Sequence, residues 1–266
     1  MEIDTIYALG TVGWMPNKHR QTTCFLIKQG SRVIILDAGT GLTRLLYPPF
    51  KEIVKEASEV IILLSHYHHD HIIGIGYIPL FFERKRVRII GPGKELSGYN
   101  SSEVLNQMFS KPTFSLPLID FPMKLSLEDL KPGHNKLSKD LTVDINKQQH
   151  SDPSVGMRLN DGIITFATDT NCSENTVEFA KGSRILIHEA YFDKIDYYNI
   201  HKEGEISEHS YSLGAAEIAC KAAVKCLVLM HINPEYDENR IKIMEREAQE
   251  IFKNTLIPSD FEEIPF

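Results

Sequence analysis

The sequence has few cysteines, no long apolar stretch and no excess of basic residues. Its four cysteines, at positions 24, 172, 220 and 226, include no C-x-x-C pair. This excludes the spacing of a zinc ribbon or a dithiol redox motif. A chain of 266 residues does not need disulfides to fold, so we expect reduced thiols in a cytoplasmic protein.

The apolar runs are short. VIILL at 60–64 and CLVLM at 226–230 fall far below the ~18 residues that a membrane-spanning helix needs. The first ten residues, MEIDTIYALG, carry acidic side chains and lack a basic region followed by an apolar stretch, so we predict no signal peptide. A net charge of -7 argues against broad, non-specific binding to nucleic acid or to an anionic membrane. We therefore expect no membrane partner.

The sequence does contain alternating strand and helix patterns. Residues 22–39 predict a β-hairpin, and residues 155–169 predict a second one around an Asn-Asp-Gly turn. Short apolar runs such as EVIILLS (59–65) alternate with amphipathic segments such as SLGAAEIACKAA (212–223). No linker interrupts this alternation. We predict one α/β domain over residues 1–266, in which helices cover mixed sheets.

A cluster of histidines follows the predicted strand 59–65. The stretch SHYHHDHI contains His66, His68, His69, Asp70 and His71. Imidazoles crowded without a cation would depress one another's protonation and gain nothing. In a loop, the side chains at 66 and 68 can point one way while those at 70 and 71 turn toward a second point. The pattern predicts two metal ions, Zn²⁺ with Mn²⁺ or Fe as alternatives, because the ligands are imidazoles and a carboxylate without a thiolate.

Six residues cannot complete two sites of four ligands each, so other segments must contribute. Three polar residues stand where a predicted strand stops: His150 after LTVDINKQQ, Asp169 after IITFAT and His231 after CLVLM. Sites in α/β folds usually lie at the carboxyl ends of strands. We therefore predict that His150, Asp169 and His231 are also metal ligands.

The combined pattern resembles that of the metallo-β-lactamase-fold hydrolases. Residues 66–71 match their H-x-H-x-D-H signature, and His150, Asp169 and His231 match the later single ligands in order. The likeness extends from LGTVGWMP and LDAGTG near the start to LMHINPEYDE near the end. It implies a four-layer αβ/βα sandwich of two mixed β-sheets flanked by helices, with two Zn²⁺ per chain on the rim between the sheets.

Within that superfamily the chain is most similar to the ribonuclease Z and phosphodiesterase branch. HSDPSVGMRL (150–159) is similar to the stretch around the third-motif histidine of that branch. LIHEAYF (186–192) resembles its H-E-A-T motif, with Tyr191 in place of threonine. Residues 208–236 resemble the segment that carries a catalytic histidine, here His209, and the last ligand.

The resemblance implies a role for each of these residues. One zinc would be held by His66, His68 and His150, and the other by Asp70, His71 and His231, with Asp169 bridging the two. Asp70 would also orient a metal-bridging hydroxide, and His209 would protonate the leaving oxygen. Adjacent side chains of a strand face opposite ways, so only one of His188 and Glu189 should face the site. We expect it to be Glu189, orienting a neighbouring histidine.

The number of residues between the predicted ligands His150 and Asp169 bears on the size of the substrate. Ribonuclease Z proteins of the bacterial type carry a long arm that clasps transfer RNA, inserted between the third and fourth ligand motifs. Here only residues 151–168 separate His150 from Asp169, and the predicted hairpin uses them fully. We therefore favour a phosphodiesterase acting on a small phosphodiester or a cyclic nucleotide.

Other functions stay open at this point. A ribonuclease Z-like RNA endonuclease and a thioester, lactone or β-lactam hydrolase would use the same metals. A non-catalytic metal-binding protein is disfavoured because every ligand and the candidate acid are present. Homodimers are common in this branch, so a homodimer is another alternative. Segments 14–21 and 94–122 are the candidate borders of the substrate site.

Overall fold

The computed structural model of the protein describes residues 3–202 and 208–265. The chain divides into two compact units. Unit 1 contains the start of the chain to Thr11, His19–Lys131 and Ser259–Pro265. Unit 2 contains Val12–Lys18 and Pro132–Pro258. The single-domain interpretation stays a prediction.

Unit 1 is built on a mixed sheet in which six strands lie in chain order. Its strands are β1 (Thr5–Gly10), β2 (Cys24–Gln29), β3 (Arg32–Leu36), β4 (Glu59–Leu63), β5 (Arg86–Pro92) and β6 (Lys124–Leu130). Its helices are α1 (Phe50–Glu56), α2 (His69–Ile72), α3 (Ile78–Phe81), α4 (Lys94–Ser97) and α5 (Ser101–Met108), with 3-10 helices at Thr40–Leu46, Ile73–Tyr77 and Leu118–Asp120.

The first hairpin forms as predicted. β2 and β3 pair antiparallel up to Gln29 and Arg32, which leaves two residues for the turn. Gly30 takes a φ of 57° there, a conformation that glycine adopts without steric cost. β4 pairs in parallel with both β3 and β5 and is buried from Val60 onward. Its continuous apolar run therefore reflects burial on both faces of the sheet.

Unit 2 is built on a second mixed sheet, in which β13-β12-β11-β10-β9-β8-β7 is the strand order. Its strands are β7 (Gly133–Lys136), β8 (Thr142–Lys147), β9 (Val155–Leu159), β10 (Ile164–Ala167), β11 (Ile185–Glu189), β12 (Cys226–Met230) and β13 (Thr255–Leu256). Its helices are α6 (Glu174–Ala180), α7 (Lys194–Lys202), α8 (Ser212–Lys221) and α9 (Glu238–Ile251), with a 3-10 turn at Asn160–Gly162.

The core of unit 2 shows why its amphipathic helix lies on the sheet. Ala215, Ala216 and Ala219 of α8 are fully buried in one cluster with Leu227 and Leu229 of β12. Small side chains let the helix approach the sheet closely, and each buried leucine contributes about 1.5–3 kcal/mol relative to exposure. Two mixed sheets with helices packed on them confirm the predicted fold class.

The second hairpin also forms where the sequence predicted it. β9 and β10 pair antiparallel, with Leu159 opposite Ile164. Together with the turn between them, they occupy most of residues 151–168. Within the described parts of the chain, none of the helices has the length and apolar character needed to cross a membrane.

Candidate metal centre

The histidine cluster of unit 1 lies directly after β4, at the start of the short helix α2. The centroid of the His66 ring is 4.5 Å from that of the His68 ring and 4.3 Å from that of the His71 ring. His71 Nε2 lies 3.3 Å from Asp70 Oδ2. The four predicted ligands of this stretch are therefore together, whereas His69, at a variable position of the H-x-H-x-D-H signature, is exposed.

A buried carboxylate that the sequence reasoning missed orients two of these imidazoles. Asp37 Oδ2 lies 2.7 Å from His71 Nδ1 and accepts a hydrogen bond from the Ser65 hydroxyl at 2.7 Å. Ser65 Oγ in turn lies 3.0 Å from His66 Nδ1. Because the Ser65 hydroxyl donates its single hydrogen to Asp37, it must accept the hydrogen bond from His66 Nδ1–H. Both imidazoles thereby keep the Nε2 lone pair that a metal ligand needs.

The signal for Asp37 was present in the sequence. It follows the apolar run RVIIL of β3, as Asp169 follows the buried strand β10 and His231 the buried strand β12. The same criterion would have found it, but it was applied only to residues that were needed as direct ligands. The tautomers that Asp37 imposes fit a divalent cation, because a nitrogen carrying hydrogen cannot ligate.

We expect Asp37→Asn to weaken Zn²⁺ binding by about 10-fold or more, the typical effect of losing a carboxylate that orients a ligand. Asparagine keeps the shape and tolerates the positive φ of 54° at this position, but it is a neutral acceptor for His71 and Ser65. The affinity is measured by competition with a chelator. Asp144→Asn is the matched control, since Asp144 Oδ1 lies 2.7 Å from Nδ1 of the exposed His134. Equal affinities for the Asp37 variant and the control would contradict the prediction.

The predicted ligands of unit 2 meet at one edge of its sheet. β10, β11 and β12 run parallel, and two antiparallel pairings in succession align β8 with them. Their carboxyl ends therefore share an edge, and His150, Asp169 and His231 follow three of these ends. All three side chains are only 3% exposed.

Asp169 stands between the two histidines. Its Oδ1 lies 3.7 Å from His150 Nε2, and its Oδ2 lies 3.4 Å from His231 Nε2. His150 Nδ1 lies 3.2 Å from the carbonyl of Asp152, to which it donates, so its Nε2 keeps the lone pair that a metal ligand needs. Thr168 Oγ1 donates to Asp169 Oδ2 at 2.6 Å and helps to fix the carboxylate plane. Each oxygen of Asp169 thus faces a different imidazole.

Three of these residues have unusual backbone conformations. Asp37, Asp169 and His231 have φ values of 54°, 50° and 55°. A positive φ is sterically unfavourable for a residue with a Cβ. Such conformations persist where the surrounding structure imposes them, and they cluster at functional sites.

The structure separates the roles of His188 and Glu189. Both are fully buried, but His188 Nδ1 bonds the carbonyl of its neighbour at 2.7 Å. Burial lowers the pKa of His188. Glu189 Oε2 lies 2.8 Å from His209 Nδ1 and 3.4 Å from His231 Nδ1, while Oε1 accepts from Thr170 N at 2.6 Å. Glu189 therefore orients imidazoles at the site.

His209 lies beside the predicted ligands of unit 2. Its side chain is 26% exposed, and its ring is 5.3 Å from that of His150 and 5.5 Å from that of His231. Burial by itself lowers the pKa of His209, but the Glu189 carboxylate outweighs it and the net effect raises that pKa. His209, Asp169 and His231 also offer ligand atoms within 4.8 Å of one another, so this histidine can reach either a substrate or a metal.

Tyr191, which stands where the related motif has threonine, packs on this histidine. Its ring is stacked on His209 at 4.8 Å and lies 5.9 Å from the His231 ring. The ring covers one face of His209, a contact that threonine is too small to make.

The fold and the groups of His and Asp side chains that could hold a metal ion define a class of protein, the metal-dependent hydrolases of the metallo-β-lactamase fold. The metallo-β-lactamase-fold protein YhfI of Bacillus subtilis superposes with a TM-score of 0.72 at 21% identity, over 99% of both chains. A diphosphatase of the PhnP family superposes with a TM-score of 0.70 at 16% identity, over 98% of this chain and 97% of the other. The protein is a metallo-hydrolase of this fold, as its similarity to a ribonuclease Z also shows.

Sequence comparison narrows the class. Ribonuclease Z of Enterococcus faecalis is 27% identical, over 98% of this chain and 97% of the relative. This similarity confirms the predicted ribonuclease Z and phosphodiesterase branch. The family model of the Anti-Pycsar protein Apyc1 matches residues 5–240, and the chain belongs to that family.

Proposed function

We propose that the protein is a dinuclear zinc-dependent phosphodiesterase that acts on a small phosphodiester or a cyclic nucleotide. The observation that carries this proposal is the placement of Asp169, whose two oxygens face His150 and His231 separately. A carboxylate so placed suits a pair of ions better than a single one. Mn²⁺ and Fe are alternatives to Zn²⁺, because the same ligand types bind all three.

Seven side chains would bind the two ions. His66, His68 and His150 would hold one ion, Asp70, His71 and His231 the other, and Asp169 both. The contact between Asp70 and His71 within unit 1 supports the second of these sets. When bound, the ions would polarise a phosphoryl oxygen, activate water and neutralise developing charge.

The protein's own side chains would complete the chemistry. His209 would donate a proton to the leaving oxygen, because Glu189 holds its Nδ1 and directs its Nε2 away. Tyr191 restricts the ring plane of His209 by stacking. Asp70 would orient the attacking water in addition to binding an ion.

The short interval between His150 and Asp169 supports a small substrate. The β9–β10 hairpin occupies this interval, so an inserted arm for transfer RNA has no place there. The acidic net charge of -7 also disfavours a polyanionic partner. RNA cleavage is the second candidate because of the likeness to ribonuclease Z. The cytoplasmic location and the homodimer stay predictions.

A substrate screen on the metal-replete protein tests the proposal. We expect two ions per chain by elemental analysis, and hydrolysis of bis(p-nitrophenyl) phosphate and of cyclic nucleotides. Removing the metals with a chelator should abolish turnover, and adding Zn²⁺ or Mn²⁺ should restore it. Cleavage of precursor transfer RNA at its 3′ end would favour the second candidate instead. Turnover of a thioester, a lactone or nitrocefin alone would show that the substrate class is wrong.

A further inference from the structure

A short loop of unit 2, Val12–Lys18, is fixed against the segment that follows β12. Val12 forms a parallel bridge with Ile232, and the Gly13 amide donates to the Ile232 carbonyl at 3.0 Å. Asn17 Nδ2 donates to the Pro234 carbonyl at 3.0 Å. The loop is therefore held beside His231, the last proposed metal ligand.

The loop backbone lies directly against the His231 ring. A Cβ added to Gly13 would stand 2.4 Å from Cε1 of His231 and 2.6 Å from each ring nitrogen. Distances this short are not tolerated, so only glycine allows the backbone to come this close. The residue after Gly13 is thus held within a few ångströms of the proposed metal ligand.

That residue, Trp14, is held in a strained conformation. The Met15 amide donates to the Gly13 carbonyl at 2.7 Å, which closes a three-residue turn with Trp14 at its centre. Trp14 has a φ of 61°, and γ-turns with positive φ are rare and strained. Its side chain is nevertheless 69% exposed. The strained turn therefore holds a large aromatic side chain in solvent instead of in the core.

We infer that Trp14 is a substrate-contacting residue that stacks on a flat aromatic group, the nucleobase of a cyclic nucleotide, and so determines specificity. This inference rests on the proposed phosphodiesterase function. Aromatic side chains bind nucleobases by stacking because every base has a π-face, and the indole is large and rigid. Its position one residue from the His231 contact places the stacking surface beside the reacting phosphodiester.

The test compares two substrates that differ only in the base. One is a 3′,5′-cyclic nucleotide, and the other is the same cyclic ribose phosphate with a methoxy group in place of the base. For Trp14→Ala we expect KM for the nucleotide to rise about 10-fold, the loss expected from one stacked base. The kcat should stay within about twofold, because no interaction specific to the transition state is removed. KM for the base-free substrate should not change.

Further variants separate stacking from folding. Trp14→Phe keeps an aromatic face and should retain most of the affinity, whereas Trp14→Gly relaxes the strained backbone and should raise KM as alanine does. Tyr47→Ala removes an aromatic side chain that is 52% exposed in unit 1 and lies outside the candidate borders of the substrate site, so KM should change for neither substrate. A normal KM in Trp14→Gly or in Trp14→Ala, or equal changes for both substrates, would overturn the inference. So would a phenylalanine variant as impaired as alanine.

Fluorescence gives a readout independent of turnover, because Trp14 is the only tryptophan in the chain. Adding a phosphorothioate cyclic nucleotide to the holoenzyme should quench its emission, whereas the base-free analogue should not. Absence of quenching at saturation would overturn the stacking inference. If the wild-type enzyme hydrolyses neither substrate, the proposed function fails, and quenching by the nucleotide still decides whether Trp14 binds a base.

Discussion

Asp169→Asn will lower kcat/KM for phosphodiesters by about 10³-fold, since metal-ion stabilisation of transition-state charge amounts to several kcal/mol. Asparagine preserves the size of the side chain and tolerates the φ of 50° at this position. It replaces one of the two oxygens that face His150 and His231 with an amide NH₂, which cannot ligate. The variant should therefore hold fewer ions per chain than the wild type.

Elemental analysis and steady-state kinetics on the same preparation measure both effects. The chain offers a matched control in Asp161→Asn, because Asp161 also has a positive φ, of 55°, but lies exposed in the β9–β10 turn. That variant should keep its metal and its activity. An Asp169 variant with full metal content and near-normal kcat/KM would refute the role of a bridging ligand.

The loss of kcat caused by His209→Ala should depend strongly on the leaving group of the substrate. For a cyclic nucleotide or another alkyl phosphodiester we expect kcat to fall by about 10²-fold, within the usual contribution of a general acid. For bis(p-nitrophenyl) phosphate the loss should be much smaller, because nitrophenolate departs without a proton. Brønsted plots over a series of leaving groups, for the wild type and the variant, measure this difference.

The metal content of the His209 variant discriminates between two roles. A proton donor can be removed without loss of metal, whereas a ligand cannot, and His209 has ligand atoms of Asp169 and His231 within 4.8 Å. His134→Ala is the control, since this histidine also bonds a carboxylate, Asp144, but is 59% exposed. Loss of zinc in His209→Ala would mean that His209 is a ligand rather than an acid.

The ligand positions stay a prediction that depends on local signals. Each proposed ligand outside the 66–71 cluster follows a strand, and strands that run in the same direction place such ends at one edge of a sheet. The resemblance supplied the pairing of ligands and the role of His209. The structure adds that Asp169 lies between His150 and His231.

What the sequence did not predict depends on contacts between distant residues. The strand-end position of Asp37 was visible in the sequence, but its hydrogen bond to His71 was not, because His71 lies 34 positions away. β6, KLSLEDL, does alternate, but it closely follows the proline-rich segment 111–122, and its partner β5 starts far away at Arg86. β13 is only two residues long and forms by pairing with β12, so no local period can reveal it.

The contact of Tyr191 with His209 has a similar origin. The substitution of threonine was visible in the sequence, but its meaning depended on which ring it would cover. The Trp14 loop was expected to border the substrate site. Its strained turn became apparent only from the hydrogen bond between Met15 and Gly13.

The left-handed backbone conformation at Asp37, Asp169 and His231 implies a trade-off between thermodynamic stability and activity. Each such residue costs about 1–2 kcal/mol, a penalty that glycine at the same position would largely remove. Selecting variants for heat resistance alone would therefore tend to replace these three residues, two of which are proposed metal ligands, and favour thermal stability over activity. A stabilisation screen on this enzyme needs a simultaneous selection for turnover.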